Sequence, residues 1–341
     1  MVQSKKRPAP RKKPIAKKRP ATTGKKSKGA IKEWIIALLI ALVLITFIRV
    51  LLVDIVMVRD EQMQATFSSG KVIAISKISP GARFPITLFS WESPKDSVGN
   101  FTGYDFTLQL PPIRFWSNKI KSTDKGKIYA YNEPDDNPKI PIDKKKFVLG
   151  RAVAIPGDIV LLEQGQIIVN GVAVSYPLSA EYFYHLKAKG SSKAMLAKIE
   201  IEEASTGKDG IVQLYATKEQ AKKIKAFESV KSIVHETVSS HHDFMHLLSK
   251  FKKGFRLPTK GDSISLEAGN FEIYAPLIIG GESIDAELRL DGLYIDGKIV
   301  SAYTFKNSYY FMLKDNVDNS IDSRSYGPVS ESYLIGRVTG Q

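Results

Sequence analysis

The longest apolar segment of the chain lies near its N-terminus. From Trp34 to Val53, twenty residues carry one charge, Arg49. A helix of that length rises about 30 Å, the thickness of a bilayer's hydrocarbon core. Arg49 lies near the end of the segment, where its long side chain can reach the interface. The pattern predicts an uncleaved transmembrane helix over 31–56, because no small-x-small cleavage site follows it.

Short segments with β-strand composition follow this anchor. β-Branched residues alternate with polar ones, and turn signals separate the segments; Asn170-Gly171 is the strongest hairpin signal. Strands are predicted at 71–78, 126–131, 150–155, 158–162, 166–174, 262–267, 271–279 and 293–300. The predicted fold class is mainly β, with an antiparallel and partly barrel-like domain formed by 57–175 and 258–341.

Residues 176–257 have a different pattern. SSKAMLAKIEIEEA and TKEQAKKIKAFESVKSIV have the composition of helices, and HHDFMHLLSKFKK has helical apolar spacing. We predict an inserted cap subdomain with mixed α and β structure. His242 and His246 are four residues apart, as two metal ligands on a helix would be, but no recognisable third ligand follows. Neither a metal site nor a cofactor is expected.

Nearly all of the net charge of +15 belongs to one tail. Residues 1–32 hold thirteen Lys or Arg and no acidic residue, so the remaining chain is close to neutral. We predict that 1–30 is disordered and cytoplasmic, which places the folded body on the other side of the membrane. The expected partner of the tail is anionic lipid, and no nucleic-acid partner is expected. The chain has no cysteine, which excludes disulfides and thiol chemistry.

Three segments, in this order after the anchor, carry a family resemblance. They are DEQMQATF (60–67), GRAVAIPGD (150–158) and YYFMLKDNVDNSIDSR (309–324). They resemble the boxes of type I signal peptidases, usually written SGSMxPTL, KRVVGLPGD and YFMMGDNRDNSxDSRxWG. An insertion before the last box is also typical of that family. Its size here is most similar to the forms found in bacteria of the Bacteroides and Flavobacterium kind.

The resemblance implies that the catalytic residues are lost. The family cleaves signal peptides with a serine nucleophile and a lysine base, and many members use a second serine for the oxyanion. Here these three positions hold Gln62, Gly150 and Asp60. A carboxamide is not a usable nucleophile, glycine has no base to offer, and an ionised carboxylate repels an oxyanion. The loss of one member of such a unit already removes most catalysis.

The resemblance also implies a retained scaffold. Asp322 and Arg324 match a salt-bridged pair, Ser320 matches a hydroxyl that orients the lysine, and Met63 matches an apolar neighbour of the nucleophile. The full retained set is Met63, Arg151, Pro156, Gly157, Asp158, Ser320, Asp322 and Arg324. Lys314 stands where the family has glycine, and Val317 stands where it has arginine. We expect Lys314 to be an ordinary surface lysine.

Three functions remain open at this point. The first is an inactive signal peptidase-like protein of the bacterial inner membrane, which binds exported peptides, an active signal peptidase or the translocon. The second is a functional signal peptidase whose serine and lysine have moved, for example to Ser68 or Ser69 and a nearby lysine, although Ser68-Ser69-Gly70 is more simply a turn. The third is a structural envelope protein that acts through its insert.

Overall fold

The computed structural model describes residues 28–341, with the exception of 60–62, 64–65, 69, 97, 111–112, 117–119, 122–123, 136, 138, 202–203, 208, 236–242, 267–269, 283, 319 and 340–341. Most of the basic tail, whose disorder was predicted, lies outside the described residues. The chain divides into two compact units, one ending at Thr46 and the other from Phe47 onward.

The helices are α1 (Lys28–Leu51), α2 (Lys193–Ala197), α3 (Lys218–Lys225), α4 (Asp243–Ser249), α5 (Phe271–Gly281) and α6 (Ser323–Tyr326). The strands are β1 (Val53–Met57), β2 (Val72–Ser76), β3 (Thr87–Glu92), β4 (Tyr104–Gln109), β5 (Ile128–Asn132), β6 (Phe147–Ala154), β7 (Ile159–Glu163), β8 (Gln166–Val169), β9 (Val172–Ala173), β10 (Glu181–Ala188), β11 (Ala204–Thr206), β12 (Val212–Thr217), β13 (Val230–His235), β14 (Phe255–Arg256), β15 (Ser263–Ser265), β16 (Ala286–Arg289), β17 (Gly292–Ile295), β18 (Lys298–Ile299), β19 (Ala302–Thr304), β20 (Tyr309–Leu313), β21 (Val329–Ser330) and β22 (Leu334–Thr339).

The apolar N-terminal helix α1 is long enough to cross a membrane. Its stretch Ile31–Leu51 contains an 18-residue window with a mean hydropathy of 2.8. The predicted helix over 31–56 is too long at its C-terminal end, because β1 begins at Val53 and pairs with β2. Val53, Ile55 and Val56 are β-branched residues that favour a strand once a neighbouring strand is present to pair with their backbone.

The predicted mainly β fold is confirmed by a curled antiparallel sheet of seven strands. Its order is β1-β2-β22-β5-β6-β20-β21. Along the central strand β5, Ile128 and Ala130 belong to one apolar cluster, whereas Tyr129 and Tyr131 belong to another. Successive side chains of a strand point to opposite faces, so this sheet buries both of its faces. The second and third boxes of the resemblance lie on its adjacent strands β6 and β20.

The hairpin signal at Asn170-Gly171 is confirmed. Asn170 and Gly171 have φ angles of 50° and 81°, as a tight two-residue turn between strands requires. They connect β8 to β9 within the sheet β14-β7-β8-β9. The hairpin β3–β4, in contrast, was not predicted from the sequence. Several of its apolar side chains are exposed, including those of Phe89 and Trp91.

The strand predicted at 271–279 is wrong, because this segment forms helix α5. Ile273, Leu277 and Ile278 are buried in the apolar cluster that also receives β7, β8 and β14. Ile273 and Leu277 are four residues apart, which places them on one face of a helix. A short continuous apolar run has no period that distinguishes a strand from a buried helix, and packing decided this case.

The insert predicted at 176–257 is divided between two cores. Strands β10 to β13 form a sheet of order β11-β12-β10-β13, and α2 and α3 pack on it. The chain order β-α-β-β-α-β with all neighbours antiparallel is the ferredoxin-like arrangement. The helical interpretation of TKEQAKKIKAFESVKSIV holds only for α3, because its last part forms edge strand β13. Phe244 of α4 and Phe255 of β14 pack instead into the cluster around α5.

Candidate functional site

A tight turn follows the position expected for the nucleophile. Asp60 and Gln62 themselves lie outside the described residues. Met63 is fully buried, and its carbonyl accepts hydrogen bonds from the backbone N–H groups of Thr66 (3.0 Å) and Phe67 (2.8 Å). The sulfur of Met63 accepts a contact from the N–H of Asp315 at 3.3 Å, and the Thr66 hydroxyl donates to the Asp315 carboxylate. We call the described residues Met63, Thr66 and Phe67 the Met63 turn.

Gly150, at the position expected for the base, lies within β6 opposite Tyr129 of β5. A side chain at this position would meet Tyr131 at closer than ordinary contact distance. A Cβ atom built on Gly150 would lie 3.0 Å from Cε1 and 3.1 Å from the hydroxyl oxygen of Tyr131. The Tyr131 and Tyr326 hydroxyls are 2.8 Å apart. Burial, followed by the effect of Tyr131, raises the pKa of Tyr326 well above its ordinary value, so this packing consists of neutral phenols.

The expectation that Lys314 lies on the surface is wrong. Its side chain is fully buried, and Nζ lies 2.8 Å from Oε1 of Glu133. The second carboxylate oxygen of Glu133 is 3.7 Å from Nζ of Lys146. Lys314 is the first residue after β20, so the end of that strand directs it into the protein instead of toward water. Burial of an ammonium group requires a partner of opposite charge, which Glu133 supplies.

Arg151 and Asp315 form the ion pair that connects β6 to the last box. Arg151 contacts Asp315 with Nη2 at 2.7 Å and with Nε at 3.1 Å, and it also donates to the Gly126 carbonyl at 2.6 Å. Asp315 is almost fully buried. This fork-like geometry is the strong form of an arginine–carboxylate contact. It places the charge of Asp315 beside the Met63 turn.

Asp322 and Arg324 form a second buried ion pair, with distances of 2.9 and 2.7 Å. Asp322 also accepts backbone hydrogen bonds from Lys314 and Arg324, both at 3.0 Å. Burial alone would lower the pKa of Arg324, but the negative charge of Asp322 raises it above its ordinary value. Arg324 further donates to the Val317 carbonyl. The loop 314–324 is therefore held by contacts among its own residues.

The other scaffold residues form turns or make hydrogen bonds with backbone groups. The hydroxyl of Ser320 donates to the Asn316 carbonyl, so it closes the loop 314–324 from within. Pro156, Gly157 and Asp158 form the turn between β6 and β7, where Gly157 has a φ of 90°. The Asp158 carboxylate accepts from the Ile155 N–H at 2.8 Å and forms an ion pair with Lys125 at 2.7 Å. No group of three or more potential metal ligands occurs among the described residues.

The described residues that were proposed for a relocated dyad have contacts of other kinds. Ser68 is exposed, and its carbonyl accepts from the N–H of Lys71 in the turn between β1 and β2. Ser69 lies outside the described residues. Lys77 contacts Asp54 and the Arg49 carbonyl, and Lys145 forms an ion pair with Asp135 at 2.7 Å.

Sequence reasoning missed two residues of this site, Tyr131 and Glu133. Tyr131 fills the space at Gly150, and Glu133 neutralises Lys314. Tyr131 is the last residue of the strand that was predicted at 126–131, and it pairs with Val148 of β6. Glu133 follows two residues later, where its N–H donates to the Lys146 carbonyl at 2.8 Å. The one signal for Tyr131 was the expected pairing of its strand with the strand that contains Gly150. A glycine in one strand leaves space that a side chain of the neighbouring strand can enter.

The chain matches the protein family described as signal peptidase, peptidase S26, over residues 31–246 and 300–340. The matched residues include the apolar helix, all three boxes and most of the insert. This chain therefore belongs to the signal peptidase family, which is membrane-associated, and α1 fits the role of its membrane anchor. No curated protein matches the chain significantly.

Proposed function

We propose that this chain is a catalytically inactive signal peptidase-like protein of the bacterial cytoplasmic membrane. Its basic tail stays in the cytoplasm, and its folded body faces the periplasm, as the concentration of Lys and Arg before the apolar helix favours. In this proposal, the body binds the exported ends of preproteins, an active signal peptidase or a translocon subunit. The scaffold of the family is kept for binding, and its chemistry is absent.

The packing at Gly150 carries this proposal. The family's mechanism needs a lysine side chain at this position, and here the ring and hydroxyl of Tyr131 occupy the space. Gly150 therefore packs against Tyr131, and the described residues leave no cavity at this position that is shaped for a lysine side chain. Gln62, at the nucleophile position, adds a second loss.

Lys314 does not restore the missing base. A base must offer a free lone pair to the nucleophile, whereas Nζ of Lys314 lies 2.8 Å from the Glu133 carboxylate. The contacts of Lys77 and Lys145 also direct these lysines to carboxylates. These contacts favour the inactive protein over a signal peptidase with a rearranged serine and lysine.

A cleavage assay tests the proposal. The full chain in detergent is incubated with a preprotein, next to an active signal peptidase. We expect no cleavage by the wild type. Because Tyr131 blocks position 150, the restored variant must combine Gln62→Ser and Gly150→Lys with Tyr131→Ala. The same restored variant without the third substitution is the matched control, and it should remain inactive.

Wild-type cleavage that survives complete removal of host peptidase would overturn the proposal and favour the functional signal peptidase. Ser68, Ser69 and Lys314 would then be the residues to substitute. If the wild type is inactive, photo-crosslinking from the Met63 turn identifies what it binds. If no crosslink forms to a preprotein, a peptidase or a translocon subunit, the remaining hypothesis is the structural envelope protein. Its function should then be lost when the insert is deleted.

A further inference from the structure

The last box of the family resemblance completes the sheet of the insert. Among the described residues, β13 pairs with β10 from Tyr184 onward. The loop residues 315–317 pair with β10 ahead of that point. The N–H of Glu181 donates to the Asp315 carbonyl at 3.2 Å, and the N–H of Val317 donates to the Glu181 carbonyl at 2.9 Å. Glu181 and Asn316 thereby form a parallel bridge.

Val317 belongs to the apolar core of the insert. It is 8% exposed, and the same cluster contains Tyr182, Tyr184 and Leu186 of β10. In the family pattern this position is an arginine, whose charge would be costly among these side chains. Valine has no charge to bury, so the loop can pack against the insert at this position. The apolar residue at 317 therefore agrees with the apolar cluster around it.

Asp318 fastens the loop to two strands of the insert with one carboxylate oxygen. Its Oδ2 accepts from the N–H of Phe183 in β10 at 2.9 Å, and it lies 2.8 Å from Nε2 of His235 in β13. The Asp318 side chain is 3% exposed. A carboxylate that is withdrawn from water and bonded to both strands fixes where the insert meets the loop.

The opposite end of the same loop contacts the Met63 turn. Asp315 accepts from the Thr66 hydroxyl, and its N–H contacts the sulfur of Met63. Only two residues separate Asp315 from Asp318. Arg324 donates to the Val317 carbonyl between them, so the segment is held along its length. A shift of Val317 must therefore move Asp315 or break these bonds.

We infer that the inserted domain positions the Met63 turn through Val317 and Asp318. In this view, the insert keeps the loop 315–318 in place, and the loop keeps the turn next to the lost nucleophile in its binding geometry. Val317 and Asp318 are positioning residues, because neither reaches the turn itself. As far as it concerns peptide binding, this inference rests on the proposed function.

Hydrogen–deuterium exchange of the full chain in detergent tests the inference. In Val317→Asp, a charge enters the insert's core, and we expect exchange in the Met63 turn to increase at least tenfold while β12 keeps its protection. Val234→Asp is the matched control, because Val234 belongs to the same insert but is 57% exposed; the turn should be unchanged. Val317→Ile keeps the apolar contact and should behave like the wild type.

An unchanged Met63 turn in Val317→Asp, together with increased exchange at 181–183, would overturn the inference. Asp318→Asn serves as a second variant, because it keeps the size of the side chain and removes its charge. We expect a smaller increase, about threefold, at the same turn. If both variants lose protection throughout the chain, the contacts are needed for folding as a whole, and the positioning role is refuted.

Peptide crosslinking separates this inference from the proposed function. If the wild type captures an exported peptide, Val317→Asp should capture at least tenfold less, and Val317→Ile should restore capture. Unchanged capture by Val317→Asp would refute the positioning role. If the wild type captures no peptide, that part of the proposed function fails, and the exchange measurement alone decides whether the insert positions the turn.

Discussion

The loop 314–324 and the Gly150 position lie at adjacent strands of one sheet, but they differ in what they retain. The loop keeps the buried charges of the family pattern, with Asp315 paired to Arg151 and Asp322 paired to Arg324. At Gly150, where the family resemblance expects a lysine, tyrosine side chains pack against the glycine. Buried charges that are paired, as these are and as Lys314 is with Glu133, can hold the backbone without catalysis, whereas a lysine at position 150 would add the cost of its own burial.

The largest effect is expected in the loop. In Arg324→Met, the Asp322 carboxylate remains buried without its cation, and breaking such a pair costs about 3–5 kcal/mol. Urea unfolding of the full chain in detergent measures the loss. The exposed pair Arg289–Glu287 provides the control, because Arg289→Met should leave the unfolding midpoint nearly unchanged. Similar losses in both variants would contradict the difference drawn between this loop and the surface.

A smaller loss is expected when Lys314 loses its partner. Glu133→Gln keeps the shape of the side chain but removes the charge of the carboxylate that lies 2.8 Å from Nζ of Lys314. We expect a loss of about 2–3 kcal/mol, because a hydrogen bond to a charged group contributes about this much. Lys146→Gln is the matched control, since its longer contact of 3.7 Å with the same carboxylate is mostly exposed. An equal loss in both variants would mean that the buried Lys314–Glu133 contact contributes no more to stability than the exposed Lys146 contact.

The Gly150 position should respond to size rather than to charge. Gly150→Ala places a methyl group about 3 Å from the Tyr131 ring, and overpacking of this kind costs roughly 1–3 kcal/mol. Tyr131→Leu combined with Gly150→Ala should recover part of this loss, because the ring is removed. Additive losses in the double variant would show that the two residues do not compete for the same space.

The smallest effect is expected for the tyrosine pair. Tyr326→Phe removes one of the two hydroxyls that lie 2.8 Å apart, while the ring remains. A neutral hydrogen bond of this type contributes about 1 kcal/mol to the free energy of unfolding. A loss as large as that of Arg324→Met would mean that the Gly150 region depends on polar contacts as strongly as the loop does.

Much of the fold could be predicted because the signals were local. The turn Asn170-Gly171 and the strands near it follow from backbone preferences of single residues, and the apolar helix follows from length and composition. The segments 271–279 and 230–235 were misassigned for a common reason. Their residues suit more than one structure, and the cores that receive them are formed by distant parts of the chain.

Residue identity alone led to the prediction that Gln62 and Gly150 stand at the family's catalytic positions and that Asp322 and Arg324 are kept, because this prediction needs only the order of residues in the boxes. Tertiary structure decided what these identities mean. It brought Tyr131 against Gly150, paired Lys314 with Glu133, and placed Val317 in the core of the insert. Each of these contacts joins residues from different strands or loops, and packing in three dimensions sets which groups share buried space and which charges must be neutralised there.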